Sequence, residues 1–183
     1  MHPRLTAAIA HAEQARAALL AVLEELPPEL REARPSEAAW SAAEILEHLA
    51  RVEKGIAKLV AVKAGELAAI GAVNDPAENW VPVDAARFAP VVDPVAKLEA
   101  PERTRPAGEL SADAAARALR ETRALLLDEL QRGAGLPLAS VVHPHPFIGP
   151  LDLHEWVWFV GAHEQRHTAQ LRAVVAHFAA AEP

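Results

Sequence analysis

Two histidines one helical turn apart are the residues of this sequence best suited to do chemistry. His163 and His167 lie in the segment from Asp152 to about Ala180, where Trp156, Phe159, Val160, Leu171, Val174 and Phe178 recur at helical spacing. At about 100° per residue, both imidazoles and Gln170 fall on that same face. Imidazoles at i and i+4 can point at one spot and bind one divalent ion. The alternative is a pair of buried histidines satisfied by hydrogen bonds. A metal centre that keeps an open position usually has three protein ligands. His48 is the candidate third: it sits at the edge of the stripe Ile45, Leu49, Val52, Ile56 and Leu59, where it can look toward a neighbouring helix. Taken alone, His48 would read as a boundary residue with a wet tip.

Other groups could surround such a centre. Gln170, one turn beyond His167, is the candidate pocket-facing polar group, whereas Glu164 and Arg166 flank the histidine face and are expected at the periphery. In the loop His143-Pro-His-Pro-Phe-Ile-Gly-Pro, His145 is the histidine that could border a pocket, against the plainer reading of a solvated loop residue. Trp156 and Phe159 precede His163 by one to two turns and serve as packing or as part of a pocket wall. The string His163-Glu164-Gln165-Arg166-His167 also matches H-E-x-x-H, the zinc-hydrolase signature. A metallohydrolase remains a remote alternative, because Ala173 stands where a metzincin-type third histidine would be and no strand offers a substrate-binding edge.

Four helical segments must position these residues. The first, about Leu5 to Leu26, ends at Pro27-Pro28; the second opens at Ser41 with the capping box Ser41-x-x-Glu44. The third runs from Ser111 to Gly133, and the fourth opens at Asp152 with Glu155 three residues on. Between Asn74 and Gly108 the periodicity dissolves into a proline-rich connection that includes Asp75-Pro76, Ala89-Pro90 and Arg105-Pro106. A connection this long is either a crossover strap or a functional segment packed over something. No segment alternates as a strand should, so the expectation is an all-α four-helix bundle over residues 1–183, a single domain, with the second and last helices adjacent.

Composition narrows the chemistry further. The 183 residues include no Cys and no Tyr, which excludes disulfides, thiolate metal sites, a catalytic cysteine and a phenolic acid or base. The net charge of −7 and the absence of a dense basic run argue against nucleic acid. The longest charge-free stretch, Leu136 to Leu151, is broken by prolines and cannot span a membrane. A cytoplasmic protein acting on a small molecule is the expectation, with a homodimer possible through shared apolar surface.

Taken together, Trp40-Ser41-x-x-Glu44-Ile45-Leu46-x-His48-Leu49, His145-Pro146-x-x-Gly149, Glu155-Trp156 and His163-x-x-Arg166-His167-x-x-Gln170 resemble the DinB-like superfamily, in matching order and over essentially the whole chain. The resemblance implies a four-helix bundle with a three-histidine site for zinc, nickel or a similar divalent ion, with His48, His163 and His167 in the ligand positions. Characterised members include S-transferases and isomerases that use bacillithiol, mycothiol or another small thiol; others have no known activity, and some bind no metal. The implied activity is attack of a metal-activated thiolate on an electrophile, which suits a chain with no cysteine of its own. The alternative is a non-catalytic metal-binding or structural stress-response bundle.

Overall fold

The computed structural model describes residues 1–73, 80–95 and 98–180; the Asp75-Pro76 pair of the proline-rich connection lies outside them. Four long helices dominate: α1 (Pro3–Glu24), α2 (Ala42–Ala69), α4 (Ala112–Arg132) and α5 (Leu153–Ala179), with a one-turn α3 (Ala89–Val92) in the crossover. Their starts are chemically marked. Ser41 and Glu44 exchange side-chain and backbone hydrogen bonds at the head of α2, and Asp152 and Glu155 do the same for α5. Each exchange satisfies two amides that a helix start leaves without partners. Pro27 and Pro28 follow the end of α1, and Gly133 caps α4. No helix among the described residues is long and apolar enough to cross a membrane.

The four helices form a bundle in which the second and last are in contact, although each has a larger partner. α1 packs along α5 and α2 along α4; α2 and α5 do meet, through a smaller contact that includes the histidines. Two apolar clusters fill the interior. One holds Leu5, Ile56, Val60, Leu126, Leu130, Val157 and Phe159, and the other Leu19, Leu23, Ile45, Leu46, Leu119, Leu171 and Val174. Between them every long helix contributes buried polar groups: Arg16 from α1, Glu53 from α2, Thr122 and Arg123 from α4, Glu164 from α5. The bundle therefore carries a charged layer across its middle.

The absence of strands expected from sequence is corrected by a small antiparallel hairpin, β1 (Val142–His145) with β2 (Gly149–Asp152), which leads into α5. Pro144 lies opposite Pro150, so neither strand shows the usual alternation. A two-stranded ribbon tolerates this because both strands are edges, and a missing N–H can face outward. Gly149, at φ 78°, supplies the left-handed residue the turn needs. Trp156 Nε1–H donates to the His143 carbonyl at 3.2 Å and ties the hairpin to α5.

The proline-rich crossover is both strap and wall. Its Phe88 and Val91 are buried in the core, and its backbone is held at several points. Arg166 donates to the carbonyls of Val91 and Asp93, Arg87 pairs with Glu155, and the Glu47 carboxylate accepts from the Ala107 and Gly108 amides at 3.0 and 3.1 Å.

Candidate metal centre

His48 from α2 and His163 and His167 from α5 meet in the lining of a cavity of about 1250 Å³. His163 Nε2 lies 3.2 Å from His48 Nε2 and 3.1 Å from His167 Nε2. The other ring nitrogens of the outer two are engaged: His48 Nδ1–H donates to the Thr104 carbonyl at 2.7 Å, and His167 Nδ1–H donates to Gln170 Oε1 at 2.8 Å. Those bonds dictate the tautomer, leaving a bare lone pair on each Nε2. His163 Nε2, even when protonated, can satisfy only one of them. A cation at the point of convergence would take all three lone pairs.

The donor set fits such an ion. Imidazole nitrogens about 2.0–2.1 Å from a tetrahedral zinc sit roughly 3.3–3.4 Å apart, close to the 3.2 and 3.1 Å that separate His163 Nε2 from the other two, and all three donor atoms lie within 4.8 Å of one another. Electrostatics also favour neutral ligands. Burial pushes the His167 imidazole down to about 3, with His48 adding to it. Burial likewise holds His163 well below the ordinary histidine range, reinforced by His167, His48 and Arg166. His48 is lowered by burial against the opposing pull of the Thr104 carbonyl. Neutral imidazole is the form that binds metal.

The surrounding residues divide into those the sequence pointed to and those it did not. Trp156 and Phe159 are buried and line the cavity; the Phe159 ring stacks on His163 with centroids 5.2 Å apart. His145, read as a loop residue, is buried against Phe159 and held near 4 by that burial. Its Nδ1 accepts from the Phe147 and Ile148 amides of the hairpin turn at 3.2 and 3.4 Å, so its proton resides on Nε2. Gln170 lines the cavity, its amide oxygen committed to His167.

Glu164 was expected at the periphery, and the structure corrects this. It is 1% exposed, facing α1 and α4, where its Oε1 accepts from Arg16 Nη2 at 2.6 Å and Arg123 Nη2 at 2.9 Å. The face of α5 beside the histidines is covered by other helices, so a charge there must be paired rather than solvated. Arg166 also has a task, holding the crossover backbone over the cavity. Three groups escaped the sequence reading as parts of the site. The Thr104 carbonyl is one. Trp40 is another, its ring 5.0 Å from His48 and stacked 6.3 Å from His167. The third is Glu47, which joins the crossover to α2 one residue before His48.

Comparison with known proteins agrees with this architecture. The uncharacterized protein YuaE of Bacillus subtilis (strain 168) is 26% identical over 159 residues, spanning 83% of this chain and 87% of that protein. The crystal structure of TT2238, a four-helix bundle protein, matches with a TM-score of 0.60 and 26% identity, over 92% of this chain and 98% of that one. The family model of the DinB superfamily matches residues 11–171, and the chain belongs to that superfamily.

Proposed function

We propose that this chain is a metal-dependent S-transferase that joins a small thiol, bacillithiol or a chemical relative, to an electrophilic small molecule. The observation that supports this most is the convergence of three neutral histidine Nε2 atoms in the lining of an open cavity. His48, His163 and His167 would hold a zinc or nickel ion. When bound, such an ion supplies net positive charge and open positions, which favour ionisation of a thiol near neutral pH.

The chain's own residues supply the rest. Thr104 and Gln170 hold the ligand rings in the metal-binding tautomer. Trp156 and Phe159 give an apolar wall for the carbon skeleton of the electrophile. His145, with its Nδ1 occupied, offers an Nε2–H donor able to orient a polar group of the electrophile or stabilise negative charge that develops on it. With no cysteine in the chain, the nucleophile arrives with the cosubstrate.

The test uses protein prepared without a polyhistidine tag and loaded with zinc or nickel, given bacillithiol and a chlorodinitrobenzene, with adduct formation followed by absorbance. Metal-dependent turnover that is lost in His48→Ala is the expected result. Stoichiometric metal with adduct formation no faster than bacillithiol alone would instead mark a non-catalytic metal-binding bundle.

A further inference from the structure

The cavity above the histidines carries a charge opposite to that of the chain. The sequence has 25 acidic and 18 basic residues. Yet the described residues lining the cavity include Arg51, Lys54, Lys58, Arg103, Arg105 and Arg166 against one acid, Glu99. Three of these cations are committed: Arg51 to Glu47 at 2.6 Å, Arg105 to Glu99 at 3.7 Å, and Arg166 to crossover carbonyls. Lys54, Lys58 and Arg103 have no carboxylate partner among the described residues.

Their placement has a direction. Arg51, Lys54 and Lys58 follow His48 along one flank of α2, and at 1.5 Å per residue they stand roughly 5, 9 and 15 Å further along the axis. Arg103, next to the Thr104 carbonyl that holds His48, adds a cation from the crossover side. Cations gathered in a concave site with low-dielectric walls repel one another and concentrate anions from solution. A cavity of about 1250 Å³, rather than a flat face or stripe, matches a small molecule and not a nucleic acid.

We propose that the cavity takes an elongated anionic small molecule, whose carboxylate or phosphate groups lie along Lys54, Lys58 and Arg103. This rests on the reading above in one respect: the anion is the thiol cosubstrate itself, its sulfur end at the histidines and its charged end on the basic flank.

Calorimetric titration of the zinc-loaded protein at low salt tests this with two matched pairs. Phosphopantetheine and pantetheine share a thiol arm and differ in one phosphate; glutathione and its diethyl ester share a thiol and differ in free carboxylates. At least one anionic member is expected to bind about tenfold or more tighter than its partner, the sum of several modest exposed charge contacts. The pair that shows the difference identifies phosphate or carboxylate. Lys54→Gln/Lys58→Gln/Arg103→Gln should erase the preference while zinc content and affinity for the uncharged member hold. Equal affinities within both pairs, a preference that survives in the triple variant, or no measurable binding by any of the four overturns the inference. The S-methylated form of the preferred anion separates the two readings. If it binds as tightly as the thiol and no thiol-dependent turnover is seen, the anion site stands and the transferase reading fails.

Discussion

Neutralising Glu53 tests how the bundle holds charge in its interior. Glu53 Oε2 accepts from Arg16 Nη2 at 2.8 Å and Thr122 Oγ1 at 3.2 Å, and its Oε1 accepts from Arg123 Nε at 2.5 Å. With Glu164 opposite, the layer holds two cations and two anions, none more than 7% exposed. Burial works against the Arg123 charge, yet Glu53 and Glu164 outweigh it and hold the guanidinium above its ordinary value. Glu53→Gln keeps the shape and one acceptor but leaves both arginines facing a single buried carboxylate. Breaking one partner out of a buried ion pair costs about 3–5 kcal/mol. The partly exposed Glu13, 2.7 Å from Arg123 Nη1, relieves some of the excess charge and favours the lower figure. At roughly 2–4 °C per kcal/mol for a domain of this size, a loss of about 3 kcal/mol lowers Tm by about 6–12 °C. Thermal unfolding followed by circular dichroism reads this directly. Adding Arg16→Met restores charge balance and should recover part of the loss, although the Leu119 carbonyl then lacks its Arg16 donor. A fall of under about 2 °C, or a double variant whose loss is the plain sum of the two singles, would refute charge balance as what holds this layer.

Three further outcomes are expected. In chelator-treated protein, stability should fall with pH below about 6.5: the unfolded His145 takes up a proton there, while the folded one stays neutral to about 4, a gap of roughly 3 kcal/mol. His167 acts in the same direction, and urea midpoints that do not move between about pH 7.5 and 4.5 would contradict the burial of both. Gln170→Leu removes the acceptor that sets the His167 tautomer and should weaken zinc binding by about 10–100-fold in a chelator competition, with unchanged affinity counting against that role. Gly161→Ala places a Cβ 2.5 Å from His11 Cδ2 and 3.1 Å from the Ala12 Cα. Overpacking of about 1–3 kcal/mol outweighs the roughly 1 kcal/mol helix gain, so Tm should drop, and a rise would mean that α1 and α5 separate freely.

What the sequence made legible follows from which physics is local. Ser41-x-x-Glu44 and Asp152 with Glu155 mark helix starts by bonds within one turn, and the stripes through Ile45 to Leu59 and Trp156 to Phe178 mark buried faces. His163 and His167 were legible as a pair for the same reason. Glu164 was not, because a single-stripe reading assigns one buried face per helix, whereas α5 is covered on a second side by α1. The hairpin was hidden by Pro144 and Pro150, which erase alternation and belong to a ribbon too short to need it. Trp40 stands just outside α2, where no periodicity assigns it a direction. The crossover's contacts run through backbone groups and side chains distant in sequence, such as Glu47 to Ala107, and no local pattern encodes them.

The His48 ring takes its orientation from a main-chain oxygen, at Thr104, rather than from a side chain. Every residue type carries that oxygen, so substitution at position 104 leaves the acceptor in place as long as the backbone keeps its path. Neighbouring crossover positions, Leu98, Ala100, Pro101 and Arg103 among them, line the cavity. Ligand geometry and cavity lining thus depend on different atoms of the same stretch. A lineage, or an engineer, can rewrite what the cavity recognises by exchanging side chains there while the orientation of the His48 imidazole is inherited unchanged.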